Sequence, residues 1–348
     1  MVRSATPSPI RTSTNEEGSE DAFPLGEGRS VQLVSVLGRG SCATVHRALV
    51  SAPHGLRREV AVKLFNAAAS EEAETVATRL LRAARRLAWV RHPNVVAVYE
   101  FGVWQRQPFF VTEFVSGITL QTLMDRTASR GKRMRLDLAL FIATAVANAL
   151  GGARRTLDHQ GSALGILHLG LSPREILVSS EGEVKVEGFE LSPARAASST
   201  IRNLRAIASR LNLMAPEIAL GHRGDARSDV FSLGVLLREL VVGPRFPRGI
   251  SQSDAYELAC QGYVETLSFA PWLPDDLVTV MERALRIAPE ERYPNASVMA
   301  AELRLVASAM GVSDDRHFLR SALESEWASD AGEVTREMPQ LVSAAPLD

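Results

Sequence analysis

Two short motifs near the start of the chain have residue types and spacing suited to binding phosphate. Residues 37–45 read LGRGSCATV, and Gly38 and Gly40 would let backbone amides approach an anion closely. An ordinary hairpin turn has the same appearance, so this loop alone is a weak signal. Farther along, the strand-like VAVK ends in Lys63. Of the 39 lysines and arginines only three are lysine, Lys63, Lys132 and Lys185, which favours a specific role for Lys63 over a place on the surface.

The elements that would position these motifs fall into two regions. Residues 31–117 contain about five runs rich in valine and leucine, with one stretch of helical spacing at 70–90. Residues 118–310 carry mainly helical patterns, at 136–157, 225–242, 274–287 and 295–309. The sequence therefore predicts an α+β fold in which a small β-rich lobe with one helix adjoins a larger helical lobe.

The two ends of the chain differ in composition from these lobes. Residues 1–29 are rich in Ser, Thr, Pro, Glu and Gly, which predicts a disordered tail. Residues 331–348 lead to the same expectation, and 311–330 are expected to form a helical extension.

The overall composition excludes several classes of protein. With 39 basic and 40 acidic residues the formal net charge is −1, so no basic field attracts nucleic acid or a membrane surface. The two cysteines, Cys42 and Cys260, cannot form a disulfide framework and suggest a reducing compartment. The first 20 residues lack the apolar core of a signal peptide, and the uncharged stretch 138–153 is shorter than the ~20 residues that span a bilayer. We expect a cytoplasmic protein with no nucleic-acid or membrane partner.

Nine motifs in a fixed order resemble those of the protein kinase family, specifically the bacterial Ser/Thr kinases. They are the glycine loop, VAVK at 60–63, RHPNVV at 91–96, TEFV at 112–115, HLGLSPREIL at 168–177, VKVEGFEL at 184–191, MAPE at 214–217, SDVFSLG at 228–234 and ERY at 291–293. The resemblance covers roughly residues 31–310 and implies the two-lobed kinase fold, with an N-lobe at 31–117 and a C-lobe at 118–310.

The resemblance also implies which residues form the site. Those that match nucleotide contacts of the family are Gly38, Gly40, Val45, Ala61, Lys63, Glu113 and Val115. Those that match structural positions are His168, Phe189, Glu217, Asp229 and Arg292. Among these, Glu217 is expected to pair with Arg292, and Asp229 to support the loop at His168.

Four positions depart from the family pattern. Kinases place a proton-accepting Asp and a metal-binding Asn in the catalytic loop, and a metal-binding Asp before Phe-Gly. Here these positions hold Gly170, Glu175 and Gly188, and the helix glutamate that pairs with the strand lysine is replaced by Ala83. A lost base costs about 10²–10⁴ in rate. A lost metal carboxylate removes charge neutralisation at the phosphates, and Lys63 is expected to have lost its partner.

Nearby carboxylates leave a second reading open. Glu187 and Glu190 flank position 188, and Glu175 occupies a metal-ligand position. Adjacent residues of a strand point to opposite faces, so Glu187 is expected to be a poor substitute for the missing ligand. Glu175 is then the best candidate for a metal ligand.

The sequence favours a pseudokinase that acts as a signalling scaffold or allosteric regulator of a protein partner, such as an active Ser/Thr kinase. In that reading ATP binds weakly or not at all, and with little dependence on magnesium. The alternative is an active Ser/Thr kinase with an atypical site, which transfers the ATP γ-phosphate to protein hydroxyls. A third reading is an interaction module with an occluded pocket. Ser198, Ser199 and Thr200 lie where kinases carry phosphorylation sites and could accept phosphate from an active kinase.

Overall fold

The first lobe is built on a six-stranded antiparallel sheet. The computed structural model describes residues 22–40, 43–66, 72–191, 208–247, 249–265, 270–312 and 315–328. The strands of this sheet are β1 (Ala22–Gly26), β2 (Arg29–Arg39), β3 (Ala43–Ser51), β4 (Arg57–Phe65), β5 (Val98–Trp104) and β6 (Gln107–Glu113). They lie in the order β1-β2-β3-β4-β6-β5.

A single described helix of this lobe, α1 (Glu72–Leu87), packs on one face of the sheet. Successive strand residues point to opposite faces, so the neighbours Phe109 and Phe110 of β6 enter different apolar clusters. Phe110 packs with Leu80 of α1, whereas Phe109 packs with Phe23 of β1. The sheet is thus apolar on both faces.

The second lobe is mainly helical. Its helices are α2 (Leu120–Ser129), α3 (Leu136–Arg155), α4 (Pro216–Ala219), α5 (Ala226–Val241), α6 (Gln252–Cys260), α7 (Asp275–Ala284) and α8 (Ala296–Ala309). The second lobe also contains a small antiparallel sheet, next to the segment that connects the two lobes. Its strands are β7 (Gly117–Thr119), β8 (Ile176–Ser179) and β9 (Val184–Val186). Short 3₁₀ turns occur at Pro53–Gly55, Pro173–Glu175, Phe189–Leu191, Ala208–Leu213 and Pro289–Glu291.

The core of the second lobe is organised around α3, which packs against both α5 and α8. Helix α3 has 20 residues, so its length and composition would allow it to cross a bilayer, although the uncharged stretch 138–153 alone is too short. In the structure 72% of that apolar window is buried inside the lobe. Helix α5 begins with a capping box between Asp225 and Ser228 and ends just before Gly243 and Pro244.

Backbone contacts tie the two lobes together between α1 and β5. Val186 of β9 forms a parallel bridge with Val95, its N–H donates to the Asn94 carbonyl at 2.8 Å, and its carbonyl accepts from the Val96 N–H at 3.0 Å. The segment that follows β9 is thereby held against the first lobe.

A further helix, α9 (Arg316–Ala328), follows the kinase-like region and packs on α3. Leu319, Ala322 and Leu323 are buried in the core of the second lobe, and the Phe318 ring lies 5.9 Å from that of Phe141. This helix falls within 311–330, the range predicted to be helical.

The predicted α+β fold with a β-rich lobe and a helical lobe is confirmed. The predicted tail at 1–29 is corrected at its end, because β1 covers Ala22–Gly26 and β2 begins at Arg29. The polar composition of residues 1–29 gave no indication that Phe23 and Val31 pair across a tight turn and are both buried. Residues 1–21 and 331–348 lie outside the described residues.

Candidate functional site

The glycine loop and Lys63 share one end of the first sheet. Gly38 pairs with Val45 across β2 and β3, and Val45 lies directly opposite Lys63 on β4. The Gly40 N–H donates to the Ala43 carbonyl at 2.8 Å and closes the hairpin around residues 41–42, which lie outside the described residues. The strand pairing therefore fixes the distance between the loop and the lysine.

Lys63 is held by two carboxylates from the other lobe. Its Nζ lies 2.7 Å from Glu190 Oε1 and 3.1 Å from Glu187 Oε2. Burial alone would lower the pKa of Lys63, but the charges of Glu187 and Glu190 outweigh burial and raise the pKa above its usual value. The ammonium group therefore stays charged and joins the two lobes.

This pairing corrects the expectations for Lys63 and Glu187. The sequence predicted that Lys63 lacked a partner and that Glu187 pointed to the opposite face of a strand. The strand ends at Val186, and Gly188 has φ +94°, so the alternation of faces does not extend to Glu187. A 3₁₀ turn over Phe189–Leu191 then brings Glu190 to the same ammonium.

Ala83 belongs to α1, the helix that packs against this turn. It is buried on α1, and the adjacent Leu80 and Ala84 share a cluster with Leu191. The position at which the family places a glutamate thus packs as a small apolar side chain, and Glu190 supplies the carboxylate from the other direction.

Glu175 occupies the space beside Gly188. A Cβ atom built on Gly188 would lie 2.9 Å from both Cδ and Oε1 of Glu175, closer than side chains pack. Glu175 Oε1 lies 3.9 Å from Arg210 Nη2, and Oε2 lies 4.0 Å from His168 Nε2. Position 188, one of the two metal-ligand positions, therefore has no side chain. The carboxylate of Glu175, at the other metal-ligand position, fills the space beside it. These residues do not fit a magnesium ion held as in kinases.

Asp229 fixes the backbone of the loop that carries Gly170. Its carboxylate accepts hydrogen bonds from the N–H groups of His168 at 2.9 Å and Leu169 at 2.7 Å. Leu169 has φ +54°, a left-handed conformation that costs a non-glycine residue about 1–2 kcal/mol. His168 packs edge-on against Phe189 at 4.7 Å, and its Nε2 lies 2.8 Å from the Glu187 carbonyl oxygen.

Glu217 and Arg292 form a buried bidentate pair. Arg292 donates to the two carboxylate oxygens of Glu217 at 2.8 and 3.0 Å, and Ser228 Oγ donates at 2.6 Å. Burial alone would raise the pKa of Glu217, but these hydrogen bonds outweigh burial and lower it. The pair fastens α4 to the segment before α8.

The connection between the lobes contains a second ion pair, which the sequence patterns do not predict. Lys185 of β9 lies with its Nζ 2.7 Å from Glu113 Oε1 at the end of β6. The backbone N–H of Val115 donates no hydrogen bond within the described part of the chain. The rarity of lysine in the sequence could have indicated this pair, because two of the three lysines form ion pairs between the lobes.

A cavity of about 20 Å³ lies behind Lys63, with walls that include Leu87, Val95, Thr112 and Phe189. It has the volume of about one water molecule and cannot hold a phosphate group. Within the described residues, no group of three or more His, Cys, Asp or Glu could hold a metal ion. Ser198, Ser199 and Thr200 lie outside those residues.

Comparison with known protein families identifies the family to which this two-lobed fold belongs. A family profile described as protein tyrosine and serine/threonine kinase matches residues 31–303. The chain belongs to the protein kinase family.

Curated relatives of this kinase-family protein are bacterial Ser/Thr kinases. PknB of Mycobacterium leprae is 30% identical over 282 residues, which cover 80% of this chain and 43% of PknB. PksC of Streptomyces coelicolor is 31% identical over 292 residues, 81% of this chain and 50% of PksC. PrkC of Bacillus subtilis is 27% identical over 321 residues, 88% of this chain and 46% of PrkC. The chain spans about half the length of the curated relatives it matches.

Solved structures support the fold of this kinase-family protein. The PknI kinase domain of Mycobacterium tuberculosis superposes with a TM-score of 0.58 at 24% identity, over 79% of this chain and 95% of that domain. The kinase fold is thus present from the glycine loop to the end of the helical lobe.

Proposed function

We propose that this kinase-family protein is a pseudokinase, which transfers little or no phosphate and acts by binding a signalling protein as a scaffold or allosteric regulator. The observation that carries the proposal is the contact between positions 188 and 175, where Glu175 fills the space of a missing metal ligand. The chain is homologous to Ser/Thr kinases, so the proposal concerns the use of a kinase fold rather than its presence.

The chemistry of phosphoryl transfer supports this proposal. Kinases rely on a metal that neutralises the phosphates, a lysine that contacts them and an aspartate that accepts the hydroxyl proton. Here the positions of the metal ligand and the base are Gly188 and Gly170. Two of the three contributions therefore have no side chain that could supply them.

The retained structural contacts support a binding role. Asp229 holds the loop at His168, and the Glu217–Arg292 pair braces the second lobe. These contacts stabilise surfaces without contributing to chemistry. We propose that the partner is an active Ser/Thr kinase or another signalling protein, and that binding occurs in the cytoplasm.

Phosphotransfer from γ-labelled ATP tests the proposal. The full chain and its Lys63→Ala variant are incubated with Mg²⁺ and separately with Mn²⁺, beside an active bacterial Ser/Thr kinase domain. We expect no labelling of either protein above the level of a heat-denatured sample. Labelling of the wild type that Lys63→Ala abolishes would overturn the proposal and establish the alternative, an active kinase that uses displaced carboxylates.

A further inference from the structure

The outer face of α1 and the turn that follows it are rich in arginine. The exposed side chains at helical spacing along this stripe are Arg82, Arg85, Arg86 and Trp89. The opposite stripe of α1, which includes Ala83 and Leu87, is buried. A rise of about 1.5 Å per residue makes the exposed stripe roughly 10 Å long. The helix packs through one face only, and its arginines therefore extend into solvent.

The second lobe continues this face through a turn that follows α3. The ring of Trp89 stacks on that of His159, with 5.6 Å between the ring centroids, and Arg86 donates a hydrogen bond to the Leu164 carbonyl oxygen. In the same turn Leu157 is 53% exposed, and Trp89 is 45% exposed. Two partly exposed apolar side chains thus lie among the arginines where the lobes touch. We name the set Arg82, Arg85, Arg86, Trp89 and Leu157 the arginine surface.

The described carboxylates do not compensate the charge of this surface. Residues 76–94 and 153–166 contain seven arginines and one acidic residue, Asp158. The carboxylate of Asp158 accepts two backbone N–H groups of its own turn, at 2.8 and 2.9 Å. Within the described part of the chain, neither Arg82 nor Arg85 forms an ion pair. These charges are therefore open to an anionic partner.

The neighbourhood of the arginine surface has a positive potential. Burial, together with the charges of Arg155 and Lys185, lowers the pKa of His92, which lies just after the stripe. Arg82 and Arg86 are four residues apart on one helix face, where like charges destabilise the helix. An anionic partner would remove this repulsion as well as form new ion pairs.

The composition of the surface fits the carboxylates of a protein better than a nucleic acid. A guanidinium group donates two parallel hydrogen bonds to one carboxylate, which a lysine ammonium cannot do. Trp89 and Leu157 can contact apolar side chains of a protein segment, for which a sugar–phosphate backbone has no equivalent. The formal net charge of the chain is −1, so no long-range field attracts an extended polyanion.

We propose that the arginine surface binds an acidic segment of a partner protein, in which one aromatic or aliphatic side chain stands among several Asp or Glu residues. This inference rests on the proposed function and deepens it, because it names the chemistry of the partner that the pseudokinase binds. The surface includes side chains of both lobes, so a bound segment would also hold one lobe against the other.

Fluorescence anisotropy with the full chain in 50 mM NaCl tests the inference. The probe is a fluorescein-labelled twelve-residue peptide of Glu and Asp with one Trp and one Leu, compared with the same peptide carrying Gln and Asn in place of the acids. We expect the acidic peptide to bind at least about tenfold more tightly than the neutral one, and 500 mM NaCl to weaken its binding at least about fivefold. Equal affinities for the two peptides would overturn the inference.

The variant Arg82→Gln/Arg85→Gln removes two exposed charges that form no ion pair among the described residues, so its melting temperature should match that of the wild type. It is expected to weaken binding of the acidic peptide at least about tenfold. Arg57→Gln/Arg223→Gln is the matched control, because it removes two exposed arginines from other elements, and it should change the affinity less than about twofold. Equal losses in the two variants would show an effect of overall charge and contradict the assigned surface.

Other occupants of the arginine surface are outcomes of the same experiment. Single-stranded DNA of equal charge that binds as tightly as the acidic peptide would overturn the choice of a protein partner. Peptide binding that requires removal of residues 1–21 would assign the surface to the acidic residues at 16–21 of this chain. Self-association that Arg82→Gln/Arg85→Gln abolishes would assign it to a second copy. Either result would overturn the inference.

Labelling from ATP, measured on the same samples, separates failure of this inference from failure of the proposed function. A protein that transfers no phosphate and does not distinguish the two peptides would remain a pseudokinase, but the inference would be wrong. A protein that is labelled and binds the acidic peptide would retain the surface but overturn the pseudokinase proposal.

Discussion

The space available at Gly188 depends on the side chain of Glu175, so the effects of substitutions at these two positions should be coupled. Gly188 adopts φ +94°, and a Cβ at this position would come within 2.9 Å of the carboxyl end of Glu175, which would have to leave its partly buried place. Restoring the family's residue with Gly188→Asp is therefore expected to destabilise the fold by about 2–4 kcal/mol, from backbone strain and overlap together. Urea unfolding followed by circular dichroism measures this loss.

The same substitution in a Glu175→Ala background is the control for overlap. There the loss from Gly188→Asp should fall to about 1–2 kcal/mol, because only the backbone strain remains. Equal losses in the two backgrounds would show that Glu175 does not occupy this space. Gly188→Asp is also not expected to restore phosphotransfer, because Gly170 still provides no side chain that could accept the proton of the hydroxyl group.

Glu217 makes the stability of the second lobe depend on pH. Arg292 is fully buried, so Glu217→Gln leaves its charge with one partner fewer and is expected to cost about 3–5 kcal/mol at pH 7. The hydrogen bonds lower the pKa of Glu217, so its contribution is present above the usual carboxyl pKa of about 4.5 and is lost as the pH falls below it. Urea midpoints at pH 7, 5 and 3.5 measure the effect.

In this series the difference between the wild type and Glu217→Gln should shrink toward pH 3.5. Glu257→Gln, at an exposed position on α6, is the control and should stay within about 0.5 kcal/mol of the wild type. A difference that does not vary with pH would mean that folding does not lower the pKa of Glu217.

At the level of single residues, the sequence located the site but not its contacts. Motif order identified Lys63, Asp229 and Glu217, because these positions follow from the family pattern. The partners of Lys63 could not be predicted, because they depend on the positive φ of Gly188 and on the turn that follows. In the sequence Lys185 stands out only as a rare residue type, since its pairing with Glu113 depends on how β9 of the second lobe meets the end of β6.

At the scale of secondary-structure elements, helix α9 lies outside the region of the chain that resembles kinases. Its Leu319 is buried in the core of the second lobe. A Cβ on Gly182, in the turn between β8 and β9, would lie 2.1 Å from the Arg316 carbonyl oxygen. The helix is therefore packed against the hairpin that leads to Glu187.

Leu319→Ala tests whether α9 belongs to the folded lobe. The loss of a fully buried leucine is expected to cost about 2–5 kcal/mol in urea unfolding, without a separate transition for the helix. Ser321→Ala, at an exposed position of the same helix, should change the stability by less than about 0.5 kcal/mol. An unchanged midpoint for Leu319→Ala would show that α9 detaches in solution.

Long elements with clear periodicity were predicted more accurately than short ones. The helical patterns at 136–157 and 225–242 correspond to α3 and α5 within about two residues. Strand β1 was missed, because five residues with one proline and one glycine carry little periodic signal. Its formation depends on Phe23 packing with Trp104 and Phe109, which are distant in the sequence.

At the scale of the whole molecule, the apolar cores of the two lobes meet at the end of α1. Leu87, Val90 and Val95 join the helical core, Val98 packs against both cores, and Leu191 of the second lobe packs on a cluster of the first sheet. The described links between the lobes include the backbone contacts at Val186, the hydrogen bond from Asn94 Nδ2 to the Val184 carbonyl at 2.9 Å, and the ion pairs of Lys63 and Lys185. Sequence patterns could not reveal this coupling, because it joins residues more than 70 positions apart.

Breaking both ion pairs is expected to weaken the coupling between the lobes. In differential scanning calorimetry we expect one transition for the wild type and two for Lys63→Met/Lys185→Met, with the first lobe unfolding roughly 10–30 °C earlier. This range follows from losing about 1–3 kcal/mol at each site in a lobe of about 100 residues. The control is Arg47→Met, which breaks the exposed pair with Glu59 inside the first lobe and should cost less than about 1 kcal/mol. A single transition in the double variant would mean that the Val186 contacts and the apolar contacts between the lobes are sufficient to couple them.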